Sequence, residues 1–361
     1  MARSKNRSVQ TYSAAVIGVG RAGTGSSAKG GGHRIGYTHA VMFQRNPRTK
    51  LDAAADVNSE NLEAFQAKFD VPSGFRNYKH MLREVRPDIV TIGTYVGLHC
   101  EMIEAAARAG VKGILCEKPF LASPKECDRV RGIAQKTGVK IAVPHIRRYF
   151  PAFARAKKLY LDGTVGEPVM CIAGIEGWDL SEWGSHWLDM FRFFHDDRAI
   201  KWVFGQVKTG NFHGYGHAME EHAIAYFEFE GGGKGFLDGG RGMNGSNTMT
   251  LVGSDGTIRI LREDTLIIDN AAGRRTESFA GETRSEFIYT WDCLLNDLIA
   301  WIEGGPEPML GLTNMLKTSE LNLAAYLSAI RGDRVDLPLK DKLDEWPVEV
   351  LVRLRKKRAS T

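Results

Sequence analysis

Short apolar runs alternate with helical patterns through the first 143 residues. The runs at 13–19, 51–57, 88–94, 113–116 and 139–143 predict buried strands, and apolar positions at helical spacing predict helices over 58–69, 100–109 and 124–136. Strands that alternate with helices of this length indicate parallel β-α-β units, which right-handed crossovers assemble into a doubly wound sheet. Ligands of such sheets bind at the carboxyl ends of the strands.

The pattern changes after Pro144. A helix is predicted over 153–161, and alternating segments separated by glycine-rich turns follow at 169–175, 201–207, 223–230, 235–237, 248–252, 257–260 and 265–268. Further helices are predicted over 183–194, 287–303 and 312–330. We therefore predict an α/β domain over 1–143, an α+β domain over 144–340 with an open mixed or antiparallel sheet and helices on one face, and a basic tail over 341–361.

Composition narrows the class of protein. The chain has 361 residues, of which 43% are hydrophobic and 25% charged, as in soluble globular proteins of about two domains. The net charge of +5 is concentrated at the two ends, which we interpret as solvated tails rather than a nucleic-acid-binding face.

Cysteines and apolar runs bear on the location of the protein. Five cysteines without a CxxC pair indicate reduced thiols in the cytoplasm and argue against a structural zinc site. No apolar run reaches the roughly 18 residues of a membrane helix, and the first dozen residues lack the apolar core of a signal peptide. We expect neither a membrane nor a nucleic acid as a partner.

A glycine-rich turn follows the first predicted strand. Gly18, Gly20 and Gly23, with Arg21 and Ala22 between the last two, form a GxGxxG motif. The first glycine allows a tight turn, and the second lets the backbone approach a pyrophosphate at the N-terminus of the next helix. After a strand that opens a β-α-β series, this motif predicts a Rossmann dinucleotide-binding fold with these five residues at the cofactor.

Asp56 ends the second predicted strand. A carboxylate at this position can accept hydrogen bonds from the adenosine ribose and repels a 2′-phosphate, and no arginine follows directly, so NAD is favoured over NADP. The alternative for Asp56 is a helix N-cap.

The segment between the turn and this acid is long. Asp56 lies 33 residues after Gly23, where about 20 are usual. The excess falls in Thr24–Thr38, which carries Lys29, His33 and Arg34. This insertion either folds over the pyrophosphate or the substrate, or forms a mobile surface excursion.

A set of motifs in a fixed order resembles one family. Glu117-Lys118-Pro119 follows a predicted strand, and the other motifs of the set are Thr94 with His99, Arg147-Arg148-Tyr149, Gly166-Glu167-Pro168, Gly184-Ser185-His186 with Asp189, Gly253-Ser254-Asp255-Gly256 and Arg331-Gly332-Asp333. The ordered set resembles the Gfo/Idh/MocA oxidoreductases over roughly residues 13–340.

The resemblance implies roles for several of these residues. Thr94, His99, Glu117 and Lys118 would lie beside the nicotinamide, with Lys118 hydrogen-bonding the reacting oxygen and Glu117 orienting it. His186 would act as the base, a role that suits a side chain with an ordinary pKa near 6.5. The alternatives are a surface lysine for Lys118 and a packed or helix-capping histidine for His186.

The chain departs from the family pattern at one position. The family usually has Asp four residues before the base, and this chain has Glu182, which lies on the same helical face as His186 and is a third candidate catalytic residue. The candidate substrate-binding residues are Arg147, Arg148, Trp183 and Asp189; the arginines could instead bridge the domains, and the tryptophan could be core. Neighbouring His217, Glu220, Glu221 and His222 offer no third anchored ligand by spacing, so no metal site is expected.

The resemblance implies hydride transfer between NAD and a secondary hydroxyl or ketone of a sugar, sugar derivative or cyclitol. A second hypothesis is a lyase or glycosidase-type enzyme that retains NAD and oxidises the sugar transiently, which the Glu182 departure and the insertion keep open. A third is a non-catalytic sensor of a nucleotide or ligand, which would need neither Lys118 nor His186. A homodimer or homotetramer is expected.

Overall fold

The computed structural model describes residues 10–21, 34–177, 179–241 and 248–359. Its first half is a six-stranded parallel sheet with helices between the strands. The elements are β1 (Tyr12–Ile17), α1 (Ile35–Arg45), β2 (Thr49–Ala55), α2 (Ser59–Phe69), β3 (Ser73–Phe75), α3 (Tyr78–Val85), β4 (Ile89–Ile92), α4 (Val96–Arg108), β5 (Gly113–Cys116), α5 (Pro124–Thr137) and β6 (Lys140–Ala142). The strand order is β3-β2-β1-β4-β5-β6, so the order reverses between β1 and β4, where doubly wound sheets bind their ligands.

The second half is built on a larger sheet. A short 3-10 helix (Ile146–Tyr149) precedes α6 (Pro151–Leu161), β7 (Pro168–Glu176), α7 (Gly184–Phe194), β8 (Ile200–Gly214), β9 (His217–Phe229), β10 (Lys234–Gly240), β11 (Met249–Gly253), β12 (Gly256–Leu261), β13 (Thr265–Asn270), β14 (Gly273–Ser278), α8 (Phe287–Ile302), α9 (Leu312–Arg331), β15 (Val335–Asp336) and α10 (Pro347–Ala359). The order is β14-β13-β12-β11-β7-β10-β9-β8-β15, and the sheet is mixed because β7 and β10 run parallel.

Side-chain caps explain where several helices begin. The Asn58 side chain accepts a hydrogen bond from the amide of Asn61 at the start of α2. At α5 the Ser123 hydroxyl accepts from the amide of Glu126, whose carboxylate accepts in turn from the amide of Ala122, which is close to a capping box. Both caps fix the connections that follow strands of the first sheet.

Two apolar cores lie beneath the two sheets. Helix α8 packs its Trp291, Leu294 and Leu298 into the core of the first sheet, although it follows the second sheet in sequence. Helices α7 and α9 fill the core on one face of the second sheet, and the other face is open, with Phe204 41% exposed. The predicted fold class is confirmed, while the boundary after Val143 stays a prediction.

Six of the α-helices and strands were not predicted, and one of them corrects an interpretation. Residues 341–361 were predicted to be a solvated basic tail, but Pro347–Ala359 forms helix α10, which buries Val348 and Val352 in the second core. Its apolar positions are few and interspersed with charges, so the charge run dominated the sequence pattern. Strands β3, β14 and β15 and helix α3 are short or exposed and were missed. Helix α1 was also missed, because its first residues fall within the segment interpreted as an insertion. Across the described ranges no helix is long and apolar enough to cross a membrane.

Candidate functional site

A cavity of about 410 Å³ lies at the carboxyl ends of β1, β2, β4 and β5. Residues from both halves of the chain line it. Those of the first half include Gly18, Gly20, Asp56, Arg76, Thr94, Tyr95, Glu117 and Lys118, and those of the second half are Glu182 and Tyr215. The cavity therefore occupies the ligand crevice that the sheet topology predicts, and the second sheet closes one end of it.

The glycine turn has the geometry of a phosphate-binding loop. Gly18 and Gly20 have φ of +81° and +73°, a region that side chains other than glycine rarely adopt. A Cβ on Gly18 would lie 2.7 Å from the methyl carbon of Thr94, so the close approach of the two loops also requires glycine. Arg21 is exposed and does not line the cavity, while Ala22, Gly23 and residues 24–33 of the insertion lie outside the described residues.

Asp56 supports this turn from the next strand. Its Oδ2 accepts hydrogen bonds from the amides of Val19 (3.0 Å) and Gly20 (3.3 Å), and its Oδ1 accepts from the amide of Asn58 (2.9 Å). Asn58, not Asp56, caps helix α2. The carboxylate faces the end of the cavity where an adenosine ribose would lie, so the turn, the acid and the cavity fit a dinucleotide.

Arg76 is a cavity residue that the sequence did not reveal. It follows β3, and its guanidinium donates to the carbonyl of Val57 at 3.0 Å. It lies twenty residues after Asp56 in sequence, and the three-residue strand β3 that brings it back to this edge gives almost no pattern. An arginine beside the ribose position bears on the choice between NAD and NADP.

Thr94 and His99 differ in their position relative to the cavity. Thr94 lines the cavity, as predicted for a cofactor neighbour. His99 is buried beneath the cavity, with its Nδ1 3.0 Å from the carbonyl oxygen of Phe120 and its Nε2 3.0 Å from that of Thr94. Both ring nitrogens thus face backbone carbonyl oxygens, and the placement of His99 at the cofactor is corrected to a packing position between the Thr94 loop and the segment after Pro119.

The Glu-Lys-Pro segment places one carboxylate and one ammonium at the cavity. Glu117 is buried, with its Oε1 3.1 Å from Nε2 of His39, and its Oε2 accepts from the amide of Lys118 at 3.2 Å. Burial alone would raise the pKa of Glu117, but His39 and Lys118 hold it below its usual value. The carboxylate is therefore ionised and fixes the turn that carries Lys118; the Lys118–Pro119 peptide is cis.

Lys118 reaches across to the second half of the chain. Its Nζ donates to the carbonyl oxygen of Glu182 at 3.0 Å and lies 3.5 Å from Oε2 of the same residue. The other carboxylate oxygen of Glu182 is 3.9 Å from Nε2 of His217. Burial would lower the pKa of His217, but Glu182 raises it overall. Glu182 thus lies between a lysine and a histidine at the junction of the two sheets.

Behind Glu182 lies a buried acidic network. Asp179 accepts hydrogen bonds from the amide of Glu182 (2.8 Å) and the hydroxyl of Ser181 (2.9 Å), and Glu220 accepts from the amide of Leu180 (2.7 Å) and the hydroxyl of Tyr326 (2.9 Å). Burial raises the pKa of both acids, and in Asp179 the charges of Glu220 and Glu182 raise it further. The network holds residues 179–182 in place.

His186 faces another histidine. Its Nδ1 lies 3.3 Å from Nδ1 of His145, and the rings meet edge to face with centroids 5.3 Å apart. Burial lowers the pKa of His186 well below 6.5, and the charges of Arg147 and Lys118 lower it further. His186 is half-buried beside Lys118 but does not itself line the cavity.

Three of the four predicted substrate-binding residues are engaged elsewhere. Arg148 and Asp189 are fully buried and form a two-pronged ion pair with distances of 2.8 Å, so their placement at the substrate is corrected to a structural role. Arg147 pairs with Glu263 at 2.6 Å and lies over the ring of Trp187, with the guanidinium carbon 5.0 Å from its centroid. Trp183 contacts His186 edge to face, which leaves it next to the candidate base.

Sequence reasoning missed several residues at or next to the cavity. His145, Tyr215 and Tyr95 belong to this group, and the rings of the two tyrosines, which both line the cavity, lie 6.3 Å apart. His217 was considered only as a possible metal ligand. His145 lies two residues before Arg147 of the Arg147-Arg148 motif, which was a usable signal. Tyr215 lies in the β8–β9 turn, and its position follows from tertiary packing. In the described part of the chain, no group of three or more metal-binding side chains is arranged to hold a metal ion.

Comparison with known proteins gives matches in both halves. The model of the Gfo/Idh/MocA oxidoreductase family with an NAD-binding Rossmann fold matches residues 13–145, and that of the GFO/IDH/MocA C-terminal domain matches residues 153–259. D-apiose dehydrogenase of Paraburkholderia graminis is 27% identical over 318 residues, covering 80% of this chain and 83% of that protein.

Two further relatives extend along most of the chain. The scyllo-inositol 2-dehydrogenase (NAD(+)) of Bacillus subtilis is 26% identical over 328 residues, covering 85% of this chain and 94% of that protein. The crystal structure of levoglucosan dehydrogenase in complex with NADH is similar in fold, with a TM-score of 0.76 at 19% identity over 91% of this chain and 100% of that one. The matched models together span more than half of the sequence, and this chain belongs to the Gfo/Idh/MocA family of NAD-binding oxidoreductases.

Proposed function

We propose that this enzyme transfers a hydride between NAD and a secondary hydroxyl or ketone of a sugar, sugar derivative or cyclitol. The observation that carries the proposal is the contact of Lys118, on the cofactor side of the cavity, with Glu182, on the opposite side. The names of the relatives, which include an apiose and an inositol dehydrogenase, support this substrate class.

The residues at the junction supply the groups that alcohol oxidation needs. NAD, when bound, accepts the hydride from the carbon. The ammonium of Lys118 donates a hydrogen bond to the reacting oxygen and stabilises negative charge that develops there. His186 takes the hydroxyl proton; because its pKa is lowered, the ring is neutral at neutral pH and can act as a base.

A second function is supported by Glu182 and His217. Elimination or hydrolysis after a transient oxidation needs an additional proton-carrying group beside the sugar. Glu182 lines the cavity and is paired with His217, so it can serve as that group. In this reaction the hydride returns to the substrate, and no NADH accumulates.

One experiment separates these functions. The purified enzyme is incubated with NAD and a panel of sugars and inositols, absorbance at 340 nm is followed, and the products are quantified. We expect one NADH per ketone formed. If product forms without net NADH, the second function replaces the first. If the protein binds NAD or a sugar but forms no product, a sensor is the function that remains.

We also propose that two copies pair through the open face of the second sheet. Val169, Ile172 and Phe204 are exposed there, each 38–44% accessible, and Trp202 and Tyr226 lie beside them with their rings 5.6 Å apart. An apolar face of this kind is typical of an interface. Light scattering of wild type and Phe204→Glu should give a dimer or tetramer and a smaller species, respectively.

A further inference from the structure

The two histidine rings beside the cavity cannot both be in the same tautomeric form. Nδ1 of His145 and Nδ1 of His186 are 3.3 Å apart, so one must carry a proton and the other a lone pair. Two bare nitrogens would repel, and two protonated ones would clash. The tautomer of His186 is therefore coupled to that of His145.

We infer that His145 is the positioning residue that accepts the Nδ1 proton of His186 and so keeps the Nε2 lone pair of His186 free to act as the base. The inference rests on the proposed function, in which His186 takes the hydroxyl proton. The geometry of the pair permits this direction of the hydrogen bond, and the chemistry of the base favours it, because only the Nδ1-protonated form of a neutral imidazole leaves Nε2 bare.

Protonation of His186 supports this direction of the hydrogen bond. When His186 takes a proton at Nε2 it carries N–H on both nitrogens, and the bond from Nδ1 to His145 persists unchanged. The reverse arrangement, with His145 as the donor, would break at this step. The same hydrogen bond from Nδ1 of His186 to His145 is therefore present before and after His186 takes the proton.

The charges around the pair act on the two rings differently. The charges nearest His186 are the cations Arg147 and Lys118. His145 is influenced by the carboxylate of Asp189, which raises its pKa, and by Arg148, Lys118 and Arg147, which lower it, so that, within the described ranges, His145 but not His186 has an anion among its charged neighbours. Burial is the largest influence on His145 and lowers its pKa to about 4, so this ring is neutral and has a lone pair to offer at neutral pH.

The first test is spectroscopic and needs no substrate. In protein labelled with ¹⁵N-histidine, the shifts of the two ring nitrogens of His186, identified by their loss in His186→Ala, report which one is protonated. We expect a protonated Nδ1 and a bare Nε2 in wild type. In His145→Leu, which removes the acceptor, the tautomer ratio should shift about 5- to 10-fold towards Nε2–H, as expected for one neutral hydrogen bond. A bare Nδ1 in wild type, or an unchanged ratio in the variant, overturns the inference.

The second test is kinetic and uses the best substrate of the sugar and inositol panel. His145→Leu should lower kcat by up to about 10-fold with KM little changed, because the tautomer shift depopulates the competent form of His186 by at most that factor. His145→Asp restores an acceptor at the same branch position, so kcat should recover, and the acid limb of its pH profile should move to higher pH because a carboxylate stabilises the His186 imidazolium.

A matched control distinguishes this role from loss of any buried histidine. His195 is as buried as His145, and its pKa is also lowered to about 4. His195→Leu should leave kcat and its pH profile unchanged. The inference fails, and the proposed function stands, if His186→Ala abolishes turnover while His145→Leu has the same kcat and pH profile as His195→Leu. If His186→Ala retains turnover, the proposed role of His186 fails instead.

Discussion

The carboxylate of Asp56 has two separable effects, on the glycine turn and on the choice of cofactor. Its oxygen holds the amides of Val19 and Gly20, and its charge faces the ribose position beside Arg76. We predict that Asp56→Asn, which keeps an acceptor oxygen and removes the charge, raises the ratio of kcat/KM for NADP to that for NAD by about tenfold or more, or about 1.4 kcal/mol. Steady-state kinetics with both cofactors measure it.

Arg76 provides the control for this prediction. If its guanidinium accounts for the gain, the double variant Asp56→Asn/Arg76→Gln should lose most of the improvement with NADP. A ratio that does not rise in Asp56→Asn would show that this carboxylate does not select the cofactor.

Asp189 should matter for stability and not for substrate affinity. It is fully buried between Arg148 and Thr318, whose hydroxyl donates to it at 2.9 Å. Removing the fully buried carboxylate leaves Arg148 with only the partly exposed Asp197 as a counter-charge, so Asp189→Asn should lower the free energy of unfolding by up to about 3–5 kcal/mol. Urea denaturation measures the loss, and Asp197→Asn, which removes the partly exposed second partner of Arg148, should cost less. A raised KM at unchanged stability would restore Asp189 to the substrate site.

At the residue scale, local motifs identified more of the residues that line the cavity in the first half of the chain than in the second. Gly18, Asp56 and Lys118 follow strands of one sheet, so their convergence is implied by topology. Arg148 and Asp189 carry charges typical of a binding site, and nothing in the sequence marks them as a buried pair. His145 and Tyr215 reach the site through packing between distant segments, which a single sequence does not encode locally.

At the element scale, β8 and α9 approach each other at a glycine. A Cβ on Gly205 would overlap the backbone carbonyl of Ala325, and the amide of Gly205 donates to the hydroxyl of Ser328 at 2.9 Å. We predict that Gly205→Ala destabilises the fold by about 1–3 kcal/mol, because backbone atoms must move to admit the methyl group.

Gly132 provides a matched substitution with the opposite expected sign. It lies exposed within α5, and a Cβ there would contact nothing within 4 Å. Gly132→Ala should stabilise by about 0.5–1 kcal/mol through helix propensity. Urea midpoints of the two variants measure the contrast, and equal effects would contradict the close packing of β8 on α9.

The elements that the sequence predicted share a strongly periodic pattern of apolar residues. Buried strands of the first sheet and the amphipathic helices α5, α8 and α9 were found because each buries a continuous apolar face. The strand β8 was predicted over 201–207 but extends to Gly214, because its second part has few apolar side chains and is held by its pairing with β9. Helix α10 was missed since its contacts with α9, β8 and β9 depend on tertiary packing.

At the scale of the whole molecule, buried histidines couple stability to pH. The unfolded chain protonates His195 near pH 6.5, whereas burial lowers its pKa in the fold to about 4. Between these values the unfolded state binds more protons, so this contribution to stability falls as pH drops from 6.5 towards 4. At pH 5 the loss of unfolding free energy from this group reaches about 2 kcal/mol, because one unit of pKa corresponds to 1.36 kcal/mol.

The difference between two proteins isolates this contribution from that of the other groups. The loss of unfolding free energy between pH 7 and pH 5 should be about 2 kcal/mol smaller in His195→Leu than in wild type. Urea denaturation at both pH values measures it. Equal losses in the two proteins would mean that His195 is not held neutral by burial.

The central claim for the whole molecule is that Lys118, which follows β5 of the first sheet, and His186, on α7 beside the second sheet, act on the same substrate beside the cofactor. The most direct measurement is turnover together with NAD affinity in Lys118→Ala and His186→Ala, with Lys79→Ala, an exposed lysine outside the cavity, as the control. The account predicts that each of the first two variants loses at least about 10²-fold in kcat while the dissociation constant of NAD changes little. Turnover that persists in either variant, or NAD affinity that falls in step with turnover, would contradict it.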